Sequence, residues 1–378
     1  SVEESAAQDN NGTSEQELAA ELYKGNVVKY LIVPEDVEVP VGLEQDMIIV
    51  KKPTDHTYAE SDEILNMMKD LNLLDNIAAV GMKSKDCTVS EIADKMKAKD
   101  GEKNAEVAYA GTADKLKLKN FVKSEVNLAL FTGDILPRED SEENAAKDTD
   151  KIADKDSKDT KETLTVEEKA EQFEELTEKL AMLGIPVFVD RSSEEKTELG
   201  KQEWIKVYGL LLDKLPQAEA IFAQKVAELQ PVLQQPAAGG TAAFFYITSS
   251  GAVNVRRPND YIARMIGMAG GEYLTPDDGA ETARSTETIQ MEQFYETAHD
   301  ADYLIYNSTI DGEVRTVQEL LQKSTVLADF AAVKAGRVYC TSKNFFQEPM
   351  SMADFLLDVH TMLTDPDFTA GKYLYKLS

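Results

Sequence analysis

Short apolar runs alternate with amphipathic segments along most of the chain. Apolar runs bounded by polar loops predict buried strands, and apolar residues repeated at i, i+3 and i+4 predict helices. The predicted strands are Val27–Val33, Met47–Val50, Ile77–Val80, Glu106–Tyr109, Val126–Phe131, Ile185–Val189, Ala243–Thr248, Val253–Val255, Tyr303–Tyr306 and Arg337–Cys340. The predicted helices are Ser61–Leu74, Glu167–Leu183, Tyr261–Gly270, Thr286–Ala298, Val314–Leu321, Phe330–Ala335 and Met352–Leu363. Strands that alternate with helices in this way are typical of parallel α/β sheets.

The stretch from Gly184 to Gln230 separates two such α/β regions. It contains a strand, a polar loop, an amphipathic helix and then a second helix over Lys214–Gln230. Pro216 lies in the first turn of this second helix, where a missing N–H removes no helical hydrogen bond. At 1.5 Å per residue the part from Pro216 to Gln230 is roughly 22 Å long, which is enough to join two compact lobes. We therefore predict an α/β protein of two Rossmann-like lobes with mainly parallel sheets, linked by one long helix, with a ligand cleft between the lobes.

Composition shifts place the boundaries of these regions. Residues 1–24 are rich in Ser, Gln, Glu and Ala and predict a flexible leader or tether. Residues 25–214 are expected to form the N-terminal lobe, with a solvated acidic insertion at 138–163. The linking helix is predicted at 215–235, and the C-terminal lobe at 236–378.

The charge and the scarcity of Cys and His exclude several classes of function. A formal net charge of −29 over 378 residues argues against nucleic acid as a partner, because phosphate binding needs a basic surface. Two cysteines, Cys87 and Cys340, and three histidines are too few for a Cys/His metal site, so no metal-binding residues are assigned. No apolar run approaches the length of a membrane span.

Loops at the carboxyl ends of the strands are expected to hold the binding residues, because ligands of α/β sheets bind at that edge. Thr54–Glu60 is interpreted as such a polar loop. The candidate ligand-binding residues are Tyr58, Thr132, Arg191, Trp204, Arg256, Arg257, Tyr261, Asn307, Phe345, Phe346 and Met350. Each also has a structural interpretation, since arginines pair with carboxylates and Trp, Phe or Met at helical spacing commonly pack in cores.

No catalytic motif is present. The chain lacks a G-x-S-x-G elbow, a P-loop and a dinucleotide-binding glycine pattern, and neither cysteine lies in a predicted cleft loop. We therefore predict no enzymatic activity and assign no catalytic residue.

Three segments carry a resemblance to a known family. They are GAVNVRRPNDYIARMIGMAGGEYL at Gly251–Leu274, the upstream EWIKVYGLLL, and VKAGRVYC at Val333–Cys340. The chain resembles the solute-binding proteins of ABC importers, in the group with two α/β lobes and one linking helix that captures iron–siderophore complexes, haem or cobalamin. The resemblance covers about Gly184–Asp365 and, more weakly, Ile48–Gly133.

The resemblance implies a binding protein without an intrinsic cofactor that delivers a metal chelate to a membrane permease. It implies a monomer that is lipid-anchored on the extracellular face of a Gram-positive-like cell membrane. It also implies an acidic permease-docking residue on each lobe, which would be Glu292 in the second lobe. In the first lobe Asp114 stands where Glu is usual, and this departure puts that docking position in doubt.

The ligand stays open at this point. Arginines and aromatic residues suit an anionic ferric siderophore, which is the first expectation. Haem is the alternative, with Tyr58, His56 or Met350 as possible axial ligands, and cobalamin would also fit an aromatic cleft. A free metal ion is the second alternative and is disfavoured by the three scattered histidines.

Overall fold

A computed structural model describes residues 23, 27–43, 47–97, 105–137, 165–195, 197–276 and 285–378. The predicted acidic insertion at 138–163, and the predicted leader except for Tyr23, lie outside the described residues. None of the helices in the described ranges combines the length and the apolar character needed to cross a membrane.

The chain divides into two compact units. Unit 1 contains the described residues up to Ile64 together with Leu73–Pro137 and Glu167–Asp190. Unit 2 contains Leu65–Asn72 and Arg191–Ser378. Each unit has its own sheet, and the predicted cleft between two lobes stays a prediction.

The sheet of unit 1 has five parallel strands among the described residues, in the order β5-β4-β3-β6-β7. The strands are β3 Thr57–Ala59, β4 Ile77–Val80, β5 Ala108–Tyr109, β6 Leu128–Thr132 and β7 Val187–Asp190. The helices in this part of the chain are α1 Asp62–Asp70, α2 Ser90–Lys95, α3 Leu118–Lys123 and α4 Val166–Met182. Because all five strands run in the same direction, their carboxyl ends meet at one edge of the sheet.

One face of this sheet is covered by α3 and α4. Phe121 from α3 and Phe173 from α4 pack with Tyr58 and Phe131 in one buried cluster. Strands buried on both faces read as continuous apolar runs, which explains why LALF and VFV in β6 and β7 were predictable from the sequence.

A separate two-stranded parallel sheet pairs β1 Lys29–Val33 with β2 Met47–Lys51. Both strands were predicted from the apolar runs of the sequence, and β1 begins two residues later than expected. Val33, Ile48 and Val50 are buried, whereas Ile49 is exposed, so β2 alternates between a packed and a solvated side.

The sheet of unit 2 is mixed. The strands described there are β8 Thr241–Ile247, β9 Val253–Arg256, β10 Glu272–Tyr273, β11 Thr286–Ile289, β12 Tyr303–Tyr306, β13 Val338–Thr341 and β14 Leu374–Lys376. The order is β11-β9-β8-β12-β13-β14, and β10 also pairs with β8. The central strands β8, β12 and β13 are parallel, whereas β9, β11 and β14 run antiparallel to their neighbours. The predicted α/β class with mainly parallel sheets is confirmed.

The helices of unit 2 cover both faces of this sheet. They are α5 Glu198–Glu203, α6 Ile205–Leu211, α7 Leu215–Leu233, α8 Tyr261–Met268, α9 Met291–Ala298, α10 Ser308–Asp311, α11 Val317–Lys323, α12 Ala331–Lys334 and α13 Ser351–Thr364. Phe245 and Phe294 belong to the core on one face, and Phe244 and Phe355 to the core on the other. The helix predicted at 215–235 is α7, and its Pro216 lies at the start of the helix as expected.

Two predicted elements are wrong. Thr54–Glu60 is not a loop throughout, because Thr57–Ala59 is the central strand of unit 1 and is paired on both sides. Thr286–Ala298 is not one helix, because Thr286–Ile289 pairs with β9 and only Met291–Ala298 is helical. In both cases polar side chains conceal a strand that is held by its neighbours in the sheet.

Candidate functional site

Arg256 lies at the end of β9 with three aromatic rings around its guanidinium. The Cζ atom is 5.0 Å from the ring centre of Phe346 and 5.9 Å from those of Tyr261 and Phe244. These rings come from a 3₁₀ turn after β13, from the first residue of α8 and from β8. Cations over aromatic faces within about 6 Å are attracted by the ring quadrupole. The fold therefore holds Arg256 in a defined place on unit 2.

The guanidinium of Arg256 has more hydrogen-bond donors than partners. Its side chain is only 15% exposed, and within the described residues no hydrogen-bond acceptor contacts it. Asp260 is the nearest carboxylate, with its Oδ2 atom 3.7 Å from Arg256 Nη1. A guanidinium carries five N–H donors, and no nitrogen atom of the Arg256 side chain is a fully buried orphan, so these donors can be reached from solvent. This arrangement leaves Arg256 able to bind an anionic group.

The backbone of Arg256 is fixed by hydrogen bonds. The Tyr273 hydroxyl donates to the Arg256 carbonyl oxygen at 3.0 Å, and Thr275 Oγ1 donates to the same oxygen at 2.8 Å. Burial raises the pKa of Tyr273 well above its ordinary value, so this hydroxyl stays protonated and remains a donor. These hydrogen bonds fix the main chain at Arg256 to β10 and to the residues that follow it.

Arg257 has a different environment from its neighbour. Its Nη2 atom lies 3.2 Å from Glu287 Oε2 on the adjacent strand β11, and its backbone N–H donates to the Ser285 carbonyl at 2.9 Å. Arg257 therefore links the end of β9 to β11. It pairs with a carboxylate, which is the structural role considered for these arginines in the sequence. The structure does not bring the two arginines together as one clamp.

The apolar candidates fall into two groups. Phe345 and Met350 are buried in the core of unit 2, where Phe345 packs against Phe355 and Tyr373. Phe346 and Tyr261 are half-buried and contact each other edge to face, beside Arg256. Only this second pair lies at the Arg256 site.

Asn307 acts locally as a helix cap. It is buried, and its Oδ1 atom accepts hydrogen bonds from the Thr309 N–H at 3.2 Å and the Thr309 hydroxyl at 2.7 Å. The bond from the Thr309 N–H satisfies an orphan backbone donor at the start of α10, which is the usual role of an Asn at the N-cap. The Asn307 side-chain oxygen is therefore already engaged in capping α10, and a ligand contact of Asn307 stays a prediction.

Arg191 and Trp204 lie on the segment that leads into α7. Arg191 Nε donates to Glu194 Oε1 at 2.8 Å, and the Trp204 indole N–H donates to Glu195 Oε1 at 3.0 Å. Both side chains thus pair with carboxylates of the same loop. Trp204 lies between α5 and α6 and is half-buried. The fluorescence of a half-buried indole responds to changes in its surroundings.

Tyr58 is a core residue, and its predicted place in a loop is wrong. Its side chain is 0% exposed and packs between Phe121 and Phe131, with ring centres 4.7 Å and 5.2 Å away. Its hydroxyl donates to the Gly111 carbonyl at 2.8 Å. Because Tyr58 belongs to a central strand that is buried on both faces, its side chain lies in the core of unit 1 and not in a loop at the carboxyl edge of the sheet.

Thr132 does lie at the carboxyl edge of the unit 1 sheet, beside a residue that the sequence analysis missed. The Thr132 N–H and hydroxyl donate to Glu60 Oε2 at 3.0 Å and 3.3 Å. Burial, with a smaller contribution from Asp134 and Glu63, raises the pKa of Glu60 to about 7. The signal was available, because Glu60 directly follows the strand TYA.

The two predicted docking residues are both exposed. Asp114 lies in a 3₁₀ turn before α3, where it accepts a hydrogen bond from Thr112 Oγ1 and pairs with Lys115 at 3.3 Å. Partial burial acts to raise the pKa of Asp114, but these two partners outweigh it and hold that pKa below its ordinary value. Glu292 lies in the first turn of α9. An acidic residue in that turn is stabilised by the helix dipole.

In the ranges that the structure describes, no three His, Cys, Asp or Glu side chains are grouped so as to hold a metal ion. His56 Nδ1 lies 3.0 Å from Asp55 Oδ1, within hydrogen-bond distance. His360 contacts the carbonyl oxygen of Ala269 at 2.9 Å, at the C-terminal end of α8.

Comparison with known proteins places these features in a family context. A family model described as periplasmic binding protein matches residues 167–344, which include β9 with Arg256, Tyr261 and β13, but end before Phe346. An uncharacterized lipoprotein of Methanocaldococcus jannaschii is 28% identical over 195 residues, which are 50% of this chain and 45% of that protein. The chain spans about half the length of the curated relatives that it matches.

Solved structures share the fold at low sequence identity. The periplasmic catecholate-siderophore binding protein of Vibrio cholerae is 13% identical and superposes with a TM-score of 0.52, over 82% of this chain and 94% of that one. A periplasmic heme binding protein of Pseudomonas aeruginosa is 12% identical, with a TM-score of 0.51 over 86% of this chain and 98% of that one.

The family match and the shared fold confirm the resemblance stated from the sequence. The chain has the fold of the two-lobed periplasmic binding proteins. The description of the matching family model, periplasmic binding protein, agrees with the prediction of a binding protein rather than an enzyme.

Proposed function

We propose that this chain is the extracytoplasmic solute-binding protein of an ABC importer and captures an anionic ferric siderophore-type chelate. The observation that carries the proposal is the environment of Arg256. Its guanidinium is largely buried among aromatic rings and has no hydrogen-bond acceptor in the described parts of the chain. A bulky anionic complex with an aromatic or apolar rim complements both features.

A chelate fits better than a free metal ion. Free divalent ions need several protein ligands, and the described residues contain no such group. A chelate brings its own metal ligands and needs only shape, charge and hydrogen bonds from the protein. The siderophore-binding and heme-binding proteins that share the fold are consistent with ligands of this size.

Location and partner follow from the same proposal. The curated relatives are named lipoproteins, which favours a protein anchored by lipid outside the cytoplasmic membrane. Its partner is then an ABC permease in that membrane. Asp114 and Glu292 are the proposed docking residues because they stand at the positions that the family resemblance implies, and both are exposed. A monomer stays the prediction.

The test is a ligand panel on the purified chain. An anionic ferric catecholate, a cationic ferric hydroxamate, haem, cobalamin and free divalent ions are titrated while Trp204 fluorescence and calorimetric heat are recorded. Saturable, submicromolar binding of a ferric siderophore supports the proposal. Tight binding of haem or cobalamin alone would identify that compound as the ligand in place of a siderophore. No binding of any compound would contradict the importer function.

The Arg256→Gln substitution tests the site itself. Loss of the charge-assisted hydrogen bonds should weaken the anionic ferric catecholate by about 2 kcal/mol, which is about thirty-fold. Arg257→Gln is the matched control, because Arg257 is paired with Glu287, and it should change the affinity by about two-fold at most. If the two substitutions weakened binding equally, Arg256 would not be the anion-binding residue.

A further inference from the structure

Asp260 is held beside Arg256 without bonding to it. Its Oδ1 atom accepts a hydrogen bond from the Ile262 N–H at 2.8 Å, which makes Asp260 the N-cap of α8. The Asp260 side chain is 1% exposed, and its Oδ2 atom has no hydrogen-bond partner in the described residues. This oxygen is the one that lies 3.7 Å from Arg256 Nη1. A buried acceptor on Asp260 and a partly exposed donor on Arg256 thus face each other just beyond hydrogen-bond distance.

We propose that Asp260 is a positioning residue that sets the net charge that Arg256 presents to a ligand, and thereby the preference between anionic and other chelates. This inference rests on the proposed function, because it takes Arg256 as the anion-binding group. Asp260 itself touches no ligand in this proposal and acts only through Arg256.

The other charged groups near Asp260 are already engaged. Arg264 Nη2 donates to Glu198 Oε1 at 3.0 Å, and Arg264 Nη1 donates to the Asn259 carbonyl at 2.6 Å. Lys201 lies 3.4 Å from Glu198 Oε2 and stacks over the Tyr261 ring at 4.8 Å. Among the described residues Arg256 contributes most of the cationic stabilisation of the Asp260 carboxylate, and Arg264 contributes less.

Electrostatics make the pair responsive to a ligand. Burial raises the pKa of Asp260, with Arg256 acting in the opposite direction, so the carboxylate depends on Arg256 for stabilisation. An anionic ligand that binds Arg256 competes with Asp260 for the same guanidinium and is repelled by the carboxylate. Only a ligand with enough negative charge or enough contacts overcomes this competition. Asp260 is in this way a source of selectivity against weakly charged anions.

Two substitutions of Asp260 separate its charge from its role as a helix cap. Asn caps helices as well as Asp does, so Asp260→Asn removes the charge and keeps the bond to the Ile262 N–H. Asp260→Ala removes both. Both variants should bind the anionic ferric catecholate about ten-fold more tightly than the wild type, because a nearby like charge has been removed. Only Asp260→Ala should lower the thermal midpoint, and neither should tighten binding of the cationic ferric hydroxamate.

Glu287→Gln is the matched control, since it removes one carboxylate from beside the neighbouring Arg257. It should leave both affinities unchanged within about two-fold. An Asp260→Asn variant that binds the anionic chelate no more tightly than the wild type overturns the proposal. So does a Glu287→Gln variant that matches the gain of Asp260→Asn, because the effect is then one of overall charge.

Failure of the proposed function is distinguishable from failure of this inference. If the wild type binds none of the chelates, the importer function is contradicted, and Asp260 is then tested with inorganic sulfate as the anion. Nitrogen NMR of the Arg256 guanidinium reports sulfate binding directly. Saturation at a lower sulfate concentration in Asp260→Asn than in the wild type supports the inference, and saturation at the same concentration overturns it.

Discussion

Adjacent residues of the same type have different roles in this chain because their neighbours differ. Arg256 and Arg257 are consecutive, yet Arg257 is paired with Glu287 whereas Arg256 lies among aromatic rings. Successive side chains along an extended chain point to opposite faces of the sheet, so the two arginine side chains have different neighbours. The sequence identifies both as candidates, but the choice between them depends on Phe346, which is 90 positions away in the chain.

Glu60 makes the stability of unit 1 dependent on pH. Its pKa is raised from 4.5 to about 7 by burial, so the folded state binds this proton more tightly than the unfolded state. The protonated form is favoured by folding, and stability should fall as the pH rises from about 4.5 through about 7. Above that range the penalty is up to about 3 kcal/mol, from 1.36 kcal/mol per unit of pKa.

Glu60→Gln should remove this dependence. Urea unfolding of the wild type and the variant at about pH 5.5 and about pH 8 should show the variant gaining stability relative to the wild type at the higher pH. Glu171→Gln, at an exposed position of α4, controls for the loss of one acidic charge. A wild type and a Glu60→Gln variant with parallel pH profiles would show that Glu60 titrates in the same way in the folded and unfolded states.

The strands and helices with the strongest apolar pattern were predictable, and those defined by sheet pairing were not. β6, β12 and α7 were predicted within two or three residues, because each is a long apolar run or a clear amphipathic helix. β3 was missed because TYA is three residues long and is flanked by Asp55, His56 and Glu60. Its conformation is imposed by parallel partners on both sides, which a local pattern does not contain.

The same limit applies to the candidate site. Arg256, Tyr261 and Phe346 were all named from the sequence, but the sequence does not show that they form one cluster. Tyr58, Phe345 and Met350 carry the same chemistry and are buried in the cores instead. Residue type predicts what a side chain can bind, whereas burial decides whether it is available.

The hairpin of α6 and α7 depends on one glycine. A Cβ atom at Gly209 would lie 2.6 Å from Ala218 Cβ and 3.0 Å from Leu215 Cα. Gly209→Ala should therefore destabilise the protein by about 1–3 kcal/mol through overpacking. Gly267→Ala is the matched control in helix α8, where nothing lies within 4 Å of the new Cβ, and it should stabilise by about 0.5–1 kcal/mol.

Thermal or urea unfolding of these two variants measures the difference directly. Both substitutions replace a helical glycine by the best helix former, so the intrinsic helix propensity changes equally. A Gly209→Ala variant as stable as Gly267→Ala would mean that α6 and α7 separate at no cost, and that the close approach is not required.

The surface charge of the whole molecule gives the docking proposal its context. A chain with a net charge of −29 offers carboxylates over much of its surface, so a single exposed Asp or Glu is not informative by its charge alone. Glu292 is distinguished by its position in the first turn of α9, and Asp114 by its place before α3. Position rather than charge therefore selects these two residues for a test.

If Glu292 docks against basic residues of the permease, Glu292→Lys should lower uptake of the labelled chelate at least about ten-fold, because the introduced lysine and those residues repel each other. The affinity for the chelate should stay the same. Uptake is measured in cells that produce the permease, and affinity with the purified chain. Glu171→Lys makes the same change of charge at another exposed position and should leave both quantities unaltered.

Asp114→Lys tests the proposed docking residue of unit 1. Lys115 already partly neutralises the Asp114 carboxylate, so a smaller loss of uptake is expected. Uptake that survives both reversals would assign docking to other residues, and would leave ligand binding at Arg256 as a separate question.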